Sequence, residues 1–339
     1  MGTSKQFAKG RQRINLLHTV ATQYWEQGIS QNEIARALGY SRPQVSRLLS
    51  EARKRGIVTI TVRHPLKRAI ELEHQLSERF GLAGAHVAAD GEGGEEGQTA
   101  ATASSEAPVV ALGAETAMEM IRGDSVVALT NGNAVSQVVA ALPKSRHPEV
   151  TIVQAIGAIA HDNHLIDSPE LCQKMAGTLG ANYRILPAPF YLDSSRTASI
   201  LRHESSISMT ISMASHADVI LTGIGATTKA GSGAIFDLWL GPSEVSGLVG
   251  AGAVGHIGGH HIDSEGRHID GDLCRRILGV PFNRLKDATS VLAIAWGQEK
   301  IPAIAGALRG GLVSHLVTDV RTASGVLALE NGPGKQDRR

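Results

Sequence analysis

The sequence predicts an α/β chain in two parts: a winged helix-turn-helix domain over residues 1–64, then a parallel-sheet α/β domain over residues 65–335. Three observations carry that expectation. Residues 30–55, SQNEIARALGYSRPQVSRLLSEARKR, spell two short amphipathic helices around a glycine turn. From residue 85 onward short apolar runs alternate with longer helical patterns, as in a parallel sheet with crossover helices. The charge is also polarised: residues 1–68 hold 13 Lys and Arg against 3 Asp and Glu, a net of +10, and the remainder holds 20 against 29, a net of −9. A length of 339 residues suggests about two domains.

In chain order, residues 14–27 read as a first helix, with Ile14, Leu17, Val20, Ala21, Tyr24 and Trp25 at helical spacing and Gly28 as its stop. A second helix runs from about Gln31 to Leu38, where Ile34, Ala35 and Leu38 form one apolar stripe and Gly39 ends it. Ser41 is a candidate N-cap for a third, with Pro43 in the first turn, where a missing N–H costs nothing. Val45, Leu48 and Leu49 repeat the stripe. Ile57 to Val62 alternate as a short strand or wing should, and Pro65 marks the exit.

In the second part, residues 66–80 predict an amphipathic helix ending at Gly81. Strands are expected at Ala85–Ala89, Ser125–Leu129, Val150–Ala155, Tyr183–Leu186, Val219–Thr222, Ser290–Ala295 and Val313–Thr318. Helices are expected at 108–121, 134–142, 169–180, 206–216 and 300–310. Residues 90–106, DGEGGEEGQTAATASSE, have little to bury and read as a loop inside this domain.

The two-helix motif suggests a DNA reader. The major groove admits one helix, Arg pairs bidentately with guanine and Gln with adenine, and a helix-turn-helix presents both from its second helix. Ser41, Arg42, Gln44, Ser46, Arg47 and Arg53 are the candidate contacts to double-stranded DNA. A basic first fifth of the chain fits phosphate binding, to which Lys5, Lys9, Arg11 and Arg13 could add; the plain alternative is a solvated basic helix pair.

Bulk properties narrow the rest. The chain is 42% hydrophobic but only 4% aromatic, and its 38 glycines lean toward close α/β packing. Cys172 and Cys274 lack CxxC or CxxH partners and read as buried thiols in a reducing cytoplasm. No apolar run approaches a membrane span, and MGTSKQFAKGRQR lacks the apolar stretch of a signal peptide, so a cytoplasmic protein without membrane contact is expected. No GxGxxG follows an expected strand with an acidic residue about 20 positions on, and the pattern GxxxxGK[ST] is absent.

In an open parallel sheet, ligands bind beyond the carboxyl ends of the strands. TNGNAV at 130–135, TGIGATTKAGS at 222–232 and WGQEKIPAI at 296–304 fall there. Gly132, Asn133, Gly223, Gly225 and Lys300 can bring backbone N–H groups or a cation to an anion or hydroxyl, although glycine after a strand can equally be turn geometry. The histidine runs HDNH at 161–164 and HIGGHHIDSEGRHID at 256–270 read as surface loops or sugar-hydroxyl contacts. A mixed His and Asp metal centre is the lesser alternative; no metal or cofactor is expected.

The run YWEQGISQNEIARALGYSRPQVSRLLSEARKRGIVTITV resembles the N-terminal domain of the SorC family of bacterial sugar-responsive transcription regulators. KIPAIAGALRGGLVSHLVTDVRTASGVL resembles its closing segment, and TGIG and GAGAVGHIGGHHIDSEG match landmarks between. The resemblance spans about Ala21 to Leu329. It implies an effector domain like phosphosugar isomerases of the glucosamine-6-phosphate deaminase type, sensing without turnover. It also implies a homo-oligomer, commonly a tetramer, and a sugar, polyol or sugar-phosphate effector touching Gly132, Asn133, Gly223, Gly225, His256 and Lys300. Two positions depart from the family pattern: Ala134 where a Thr is usual, and His256 where an acid is common. An active sugar-phosphate isomerase or deaminase with a DNA-binding appendage is the rival reading.

Overall fold

A computed structural model describes residues 13–58, 69–89, 103–159, 167–227 and 240–330. The chain divides into two units, Met1–Pro65 and Leu66–Arg339.

In the first unit, helix α1 (13–21) continues as a π-helical turn over Thr22–Glu26, followed by α2 (Gln31–Leu38) and α3 (Arg42–Lys54). Their apolar stripes close on one core of Leu17, Val20, Ile34, Val45, Leu48, Leu49 and Ala52. The π-turn, which the spacing did not foretell, leaves Tyr24 and Trp25 both against that core, their rings edge to face at 5.2 Å. Gly28 and Gly39 take φ of 68° and 71°, the left-handed backbone that stops a helix and that glycine adopts without strain. Ile57 and Val58 pack on the core as a bend; the rest of the expected wing, 59–62, lies outside the described residues, as do Lys5, Lys9 and Arg11.

The second unit runs α4 (Ile70–Phe80), β1 (Gly84–Ala88), α5 (Ala103–Met120), β2 (Val126–Leu129), α6 (Asn133–Ala141), β3 (Thr151–Gln154), α7 (Ser168–Leu179) and β4 (Asn182–Arg184). It continues with α8 (Ser195–Arg202), α9 (Ser205–Ser215), β5 (Val219–Ala226), α10 (Pro242–Gly250), β6 (Ala253–Ile257), β7 (His260–Asp263), α11 (Asp272–Arg275) and α12 (Phe282–Lys286). It closes with β8 (Val291–Ile294), α13 (Ile301–Arg309), β9 (His315–Asp319) and α14 (Val320–Glu330). Seven strands pair in parallel in the order β1-β9-β8-β5-β2-β3-β4. Parallel strands need crossovers, and the crossovers cover both faces, so the inner strands β2, β5 and β8 are apolar on both sides, while the edge strand β4, Asn-Tyr-Arg, is largely exposed. Alternation divides the residues cleanly. Val87, Ala128, Val153, Ile220, Ala293 and Leu316 join a core with Ile304 of α13 and Val326 of α14, and Val127, Leu129, Ile152, Leu221, Leu292 and Val317 join one with Leu112 of α5, Val138 of α6 and Met175 of α7.

Three expectations are corrected. Helix α5 begins at Ala103, inside the stretch read as loop, because Pro108 near its start does not end it; residues 90–102 lie outside the described residues. β5 runs on to Ala226, past Thr222, because its last residues pair antiparallel with β6. The histidines of 256–270 do not sit in surface turns as a group: His256, His260 and His261 are buried in the β6–β7 hairpin, which is covered on both faces. The HDNH run lies outside the described residues. Both cysteines are buried, and burial pushes the Cys172 and Cys274 thiols up. Among the described residues no helix is long and apolar enough to cross a membrane.

Where β3 ends, one buried amide fixes the sheet edge. Gln154 Nε2 donates to the Ile156 carbonyl at 2.7 Å and to Ser168 Oγ at 3.0 Å, and its Oε1 accepts from the Leu186 N–H at 2.9 Å. Gln154→Leu strands those partners, so it should lower the stability of the full chain by about 2 kcal/mol or more in chemical denaturation. A change within a few tenths of a kcal/mol would show that the network contributes nothing.

Candidate functional site

The first candidate surface is built on α3. Ser41 and Gln44 form a reciprocal cap: Gln44 Oε1 accepts from the Ser41 N–H at 2.8 Å and from its hydroxyl at 3.0 Å. Ser30 and Glu33 do the same for α2, and the Ser30 hydroxyl and N–H hold the Glu33 carboxyl below its usual range. Steps of four and seven residues then bring Arg42, Ser46 and Arg53 onto one exposed row, while Arg47, Ser50 and Lys54 lie along the next. Val45, Leu48, Leu49 and Ala52 take the opposite, buried side. Gln44 lies at the margin, and its oxygen is already engaged in the cap; a bidentate contact to adenine needs that oxygen.

Acidic partners sort the remaining cations. Glu51 pairs with Arg13, which stands in the first helix and not ahead of it, and with Arg55 at 2.8 Å. The Arg13 hydrogen bond is the largest cause holding the Glu51 carboxyl low. Arg42, Arg47 and Arg53 are exposed on α3.

The second candidate surface is the carboxyl edge of the parallel sheet. From β2 the chain moves toward β3, and from β5 toward β8, so the adjacent ends of β2 and β5 flank the switch point. There Thr130 Oγ1 donates to Thr222 Oγ1 at 3.1 Å, and Thr222 Oγ1 donates to the Gly223 carbonyl at 3.1 Å. Asn131, next along, is 2% exposed, yet neither its Oδ1 nor its Nδ2 has a hydrogen-bond partner among the described residues. Gly132 follows with φ 119°, and α6 starts at the exposed Asn133, so its first N–H groups open at this edge. Thr227 after β5 and Thr318 in β9 add two more buried hydroxyls without partners among the described residues.

Lys300 reaches the same edge from the turn after β8. Gly297 takes φ 113° and donates its N–H to Thr322 Oγ1 at 2.9 Å, and Gln298–Lys300 form one tight turn into α13. Burial is the main cause lowering the Lys300 ammonium from the usual lysine value, opposed by the charges of Glu299 and Glu106. Glu106, on α5, also accepts from Gln137 of α6 at 3.5 Å, so α5, α6 and the Lys300 turn converge.

The other sequence candidates fall differently. Gly223 lies inside β5, where an added Cβ would meet only the Ile294 carbonyl at 3.8 Å. Gly225 pairs across strands with His256, whose ring occupies the space a Cβ would need. His256 is 3% exposed and its ring centroid lies 5.6 Å from that of His261. Of the six candidates, the structure brings Gly132, Asn133 and Lys300 to one edge and sets Gly225 and His256 against each other. The sequence reading named the loops that hold Thr130, Asn131 and Thr222 but did not single those residues out. Their signal was a polar residue closing an otherwise apolar strand.

Comparison with known proteins adds three relatives and two family matches. Residues 64–328 match the Sugar-bind family, described as "Putative sugar-binding domain", and residues 16–68 match the MarR family. The chain is 28% identical over 324 residues to the transcriptional regulator LsrR of Klebsiella pneumoniae subsp. pneumoniae, covering 93% of each chain. It is 26% identical over 325 residues to the erythritol catabolism regulatory protein EryD of Brucella abortus, covering 94% of this chain and 96% of that one. The crystal structure of the full-length sorbitol operon regulator SorC from Klebsiella pneumoniae superposes with a TM-score of 0.76 at 28% identity, over 93% of this chain and 98% of that one.

The interlock of Gly225 and His256 is testable. Gly225→Ala should destabilise the full chain by about 1–3 kcal/mol through overpacking. Adding His256→Ala removes the obstacle, so the double variant should lose less than the two single losses together, as read by denaturation of all four proteins. Strict additivity would mean the two positions do not touch. At the other surface, Ser41→Ala should cost about 1 kcal/mol by opening the cap of α3, with unchanged thermal unfolding as the contrary result.

Proposed function

Because the chain belongs to the SorC family of sugar-binding transcriptional regulators, we propose that it reads double-stranded operator DNA with α3 while a small carbohydrate-like effector at the carboxyl edge of its sheet sets the grip. The observation that carries the effector half is Asn131, a buried amide with both ends unpaired beside the opening turn of α6. An unpaired buried amide is costly, and a polyhydroxy ligand has the alternating donors and acceptors that would satisfy it. Two of the relatives are named for polyols, erythritol and sorbitol, which supports a sugar, a polyol or a phosphate ester of either as effector of a carbohydrate or polyol operon.

In this reading Arg42, Ser46 and Arg53 face the groove, with Arg47 toward base or backbone, and Ser41 and Gln44 chiefly hold the start of α3 in shape. Gly132, Asn133 and Lys300 bind the effector directly; Gly223, Gly225 and His256 shape the strand extension beside it. Effector binding favours one of two arrangements that differ in operator affinity. The chain senses its ligand without turning it over, a reading supported by relatives named as regulators. It acts in the cytoplasm as a homotetramer, whose mass light scattering on the purified protein would check.

Arg42→Ala should cost about 1–3 kcal/mol at one operator position and relax specificity there. Binding of labelled promoter fragments across a salt series measures this, and equal loss on random duplex would remove the base-reading role. Lys300→Ala should abolish the thermal shift given by the best phosphorylated ligand in a screen of pentoses, hexoses, polyols and their phosphates. Because burial lowers the Lys300 ammonium, anion binding should weaken as pH rises, and earlier than an ordinary lysine would allow; pH-independent binding up to the usual lysine range argues against contact. Product formation from any of these compounds would overturn the sensor reading.

A further inference from the structure

The segment after β6 gathers three metal-ligating side chains. His260 opens β7, His268 follows the turn and bridges back to Ile262, and Cys274 sits on α11. One donor atom from each lies within 4.8 Å of the others. His260 is 8% exposed, and its Nε2 lies 2.8 Å from the Val280 carbonyl. A carbonyl only accepts, so Nε2 carries the hydrogen and Nδ1 keeps its lone pair. Among the described residues that buried Nδ1 has no hydrogen-bond partner, and neither has the buried Nε2 of His268. Phe282 stacks on the His268 ring at 4.3 Å and 7° and meets the His260 ring edge-on at 5.6 Å, which fixes both imidazole planes. The Cys274 thiol donates to the Ile269 carbonyl at 3.1 Å.

We propose that His260, His268 and Cys274 form a zinc-binding site. A purely aromatic cluster would leave two imidazole nitrogens buried and unpaired, which folded proteins rarely tolerate. Two nitrogens and a sulfur suit a borderline-soft ion and not magnesium or calcium, which take oxygen, and three protein donors leave one coordination position for water. The Val280 carbonyl on the far side of His260 is the partner that metal-bound imidazoles ordinarily have. On binding, the Cys274 S–H bond breaks, its electron pair forms the zinc–sulfur bond, and the proton leaves to solvent. The ion would fasten β7 to α11 at the turn end of the hairpin that holds His256 against Gly225.

The test uses the purified full-length chain stripped with chelator. Titration with Zn²⁺ against a competing indicator should give one tight equivalent per chain, and Co²⁺ should give a thiolate charge-transfer band. The chain has two cysteines, so the band has one of two sources. Cys274→Ser should abolish it and weaken zinc at least about tenfold, whereas Cys172→Ala should leave both intact. Should Cys274→Ser fail to fold by circular dichroism, His268→Gln, at a half-buried position, should show the same loss of zinc affinity. No stoichiometric uptake, a band that survives Cys274→Ser or vanishes with Cys172→Ala, or zinc affinity unmoved in His268→Gln would each overturn the site.

Discussion

Parallel pairing of β2, β5 and β8 is the constraint from which the rest of the larger unit follows. Strands that run the same way deliver all their carboxyl ends to one edge, and each crossover helix then starts there. Helices cover the inner strands on both faces, so the parallel stretches of β2, β5 and β8 stay apolar up to their carboxyl ends. Thr130, Asn131 and Thr222 are therefore not incidental: they are the first residues past an apolar interior at the point where the chain's direction of travel splits. Gly132 can bring the backbone of α6 close to that point because its φ of 119° is open to glycine and strained for other residues.

The smaller unit solves a different problem. Three short helices have little surface to bury, so their ends must be closed as well as their sides. The reciprocal caps at Ser30 and Ser41 do this locally, and Glu51 draws in Arg13 and Arg55. What is left on the outside of α3 is cationic along the row of Arg42, Ser46 and Arg53, and Glu51, one turn on from Arg47, is drawn into its pairs with Arg13 and Arg55. Shape and charge there come from the same residues.

Much of this was legible in the sequence. Local chemistry announced itself: Gly39, Ser41 and Pro43 marked the turn, and apolar runs marked the strands of the sheet. Gln44 was ambiguous for a physical reason, since the serine-to-glutamine spacing of a cap also places an amide where a base reader belongs. Nonlocal requirements were not legible. TGIG reads as a loop because glycine breaks strands, but Gly225 is small to admit a ring thirty-one positions later in the chain. His256, His260 and His261 look like surface polarity until the hairpin that buries them is known. Asn131 was passed over for the glycine beside it because burial without a partner is visible only in three dimensions.

Where one strand lacks a side chain so that its neighbour may keep a ring, the two residues become a single hereditary unit. Neither can be replaced by something bulkier while the other stays, so descendants of this hairpin must exchange the pair together or through a weakened intermediate. Drift at the carboxyl edge of the sheet is channelled accordingly, and change there is reached by paired steps.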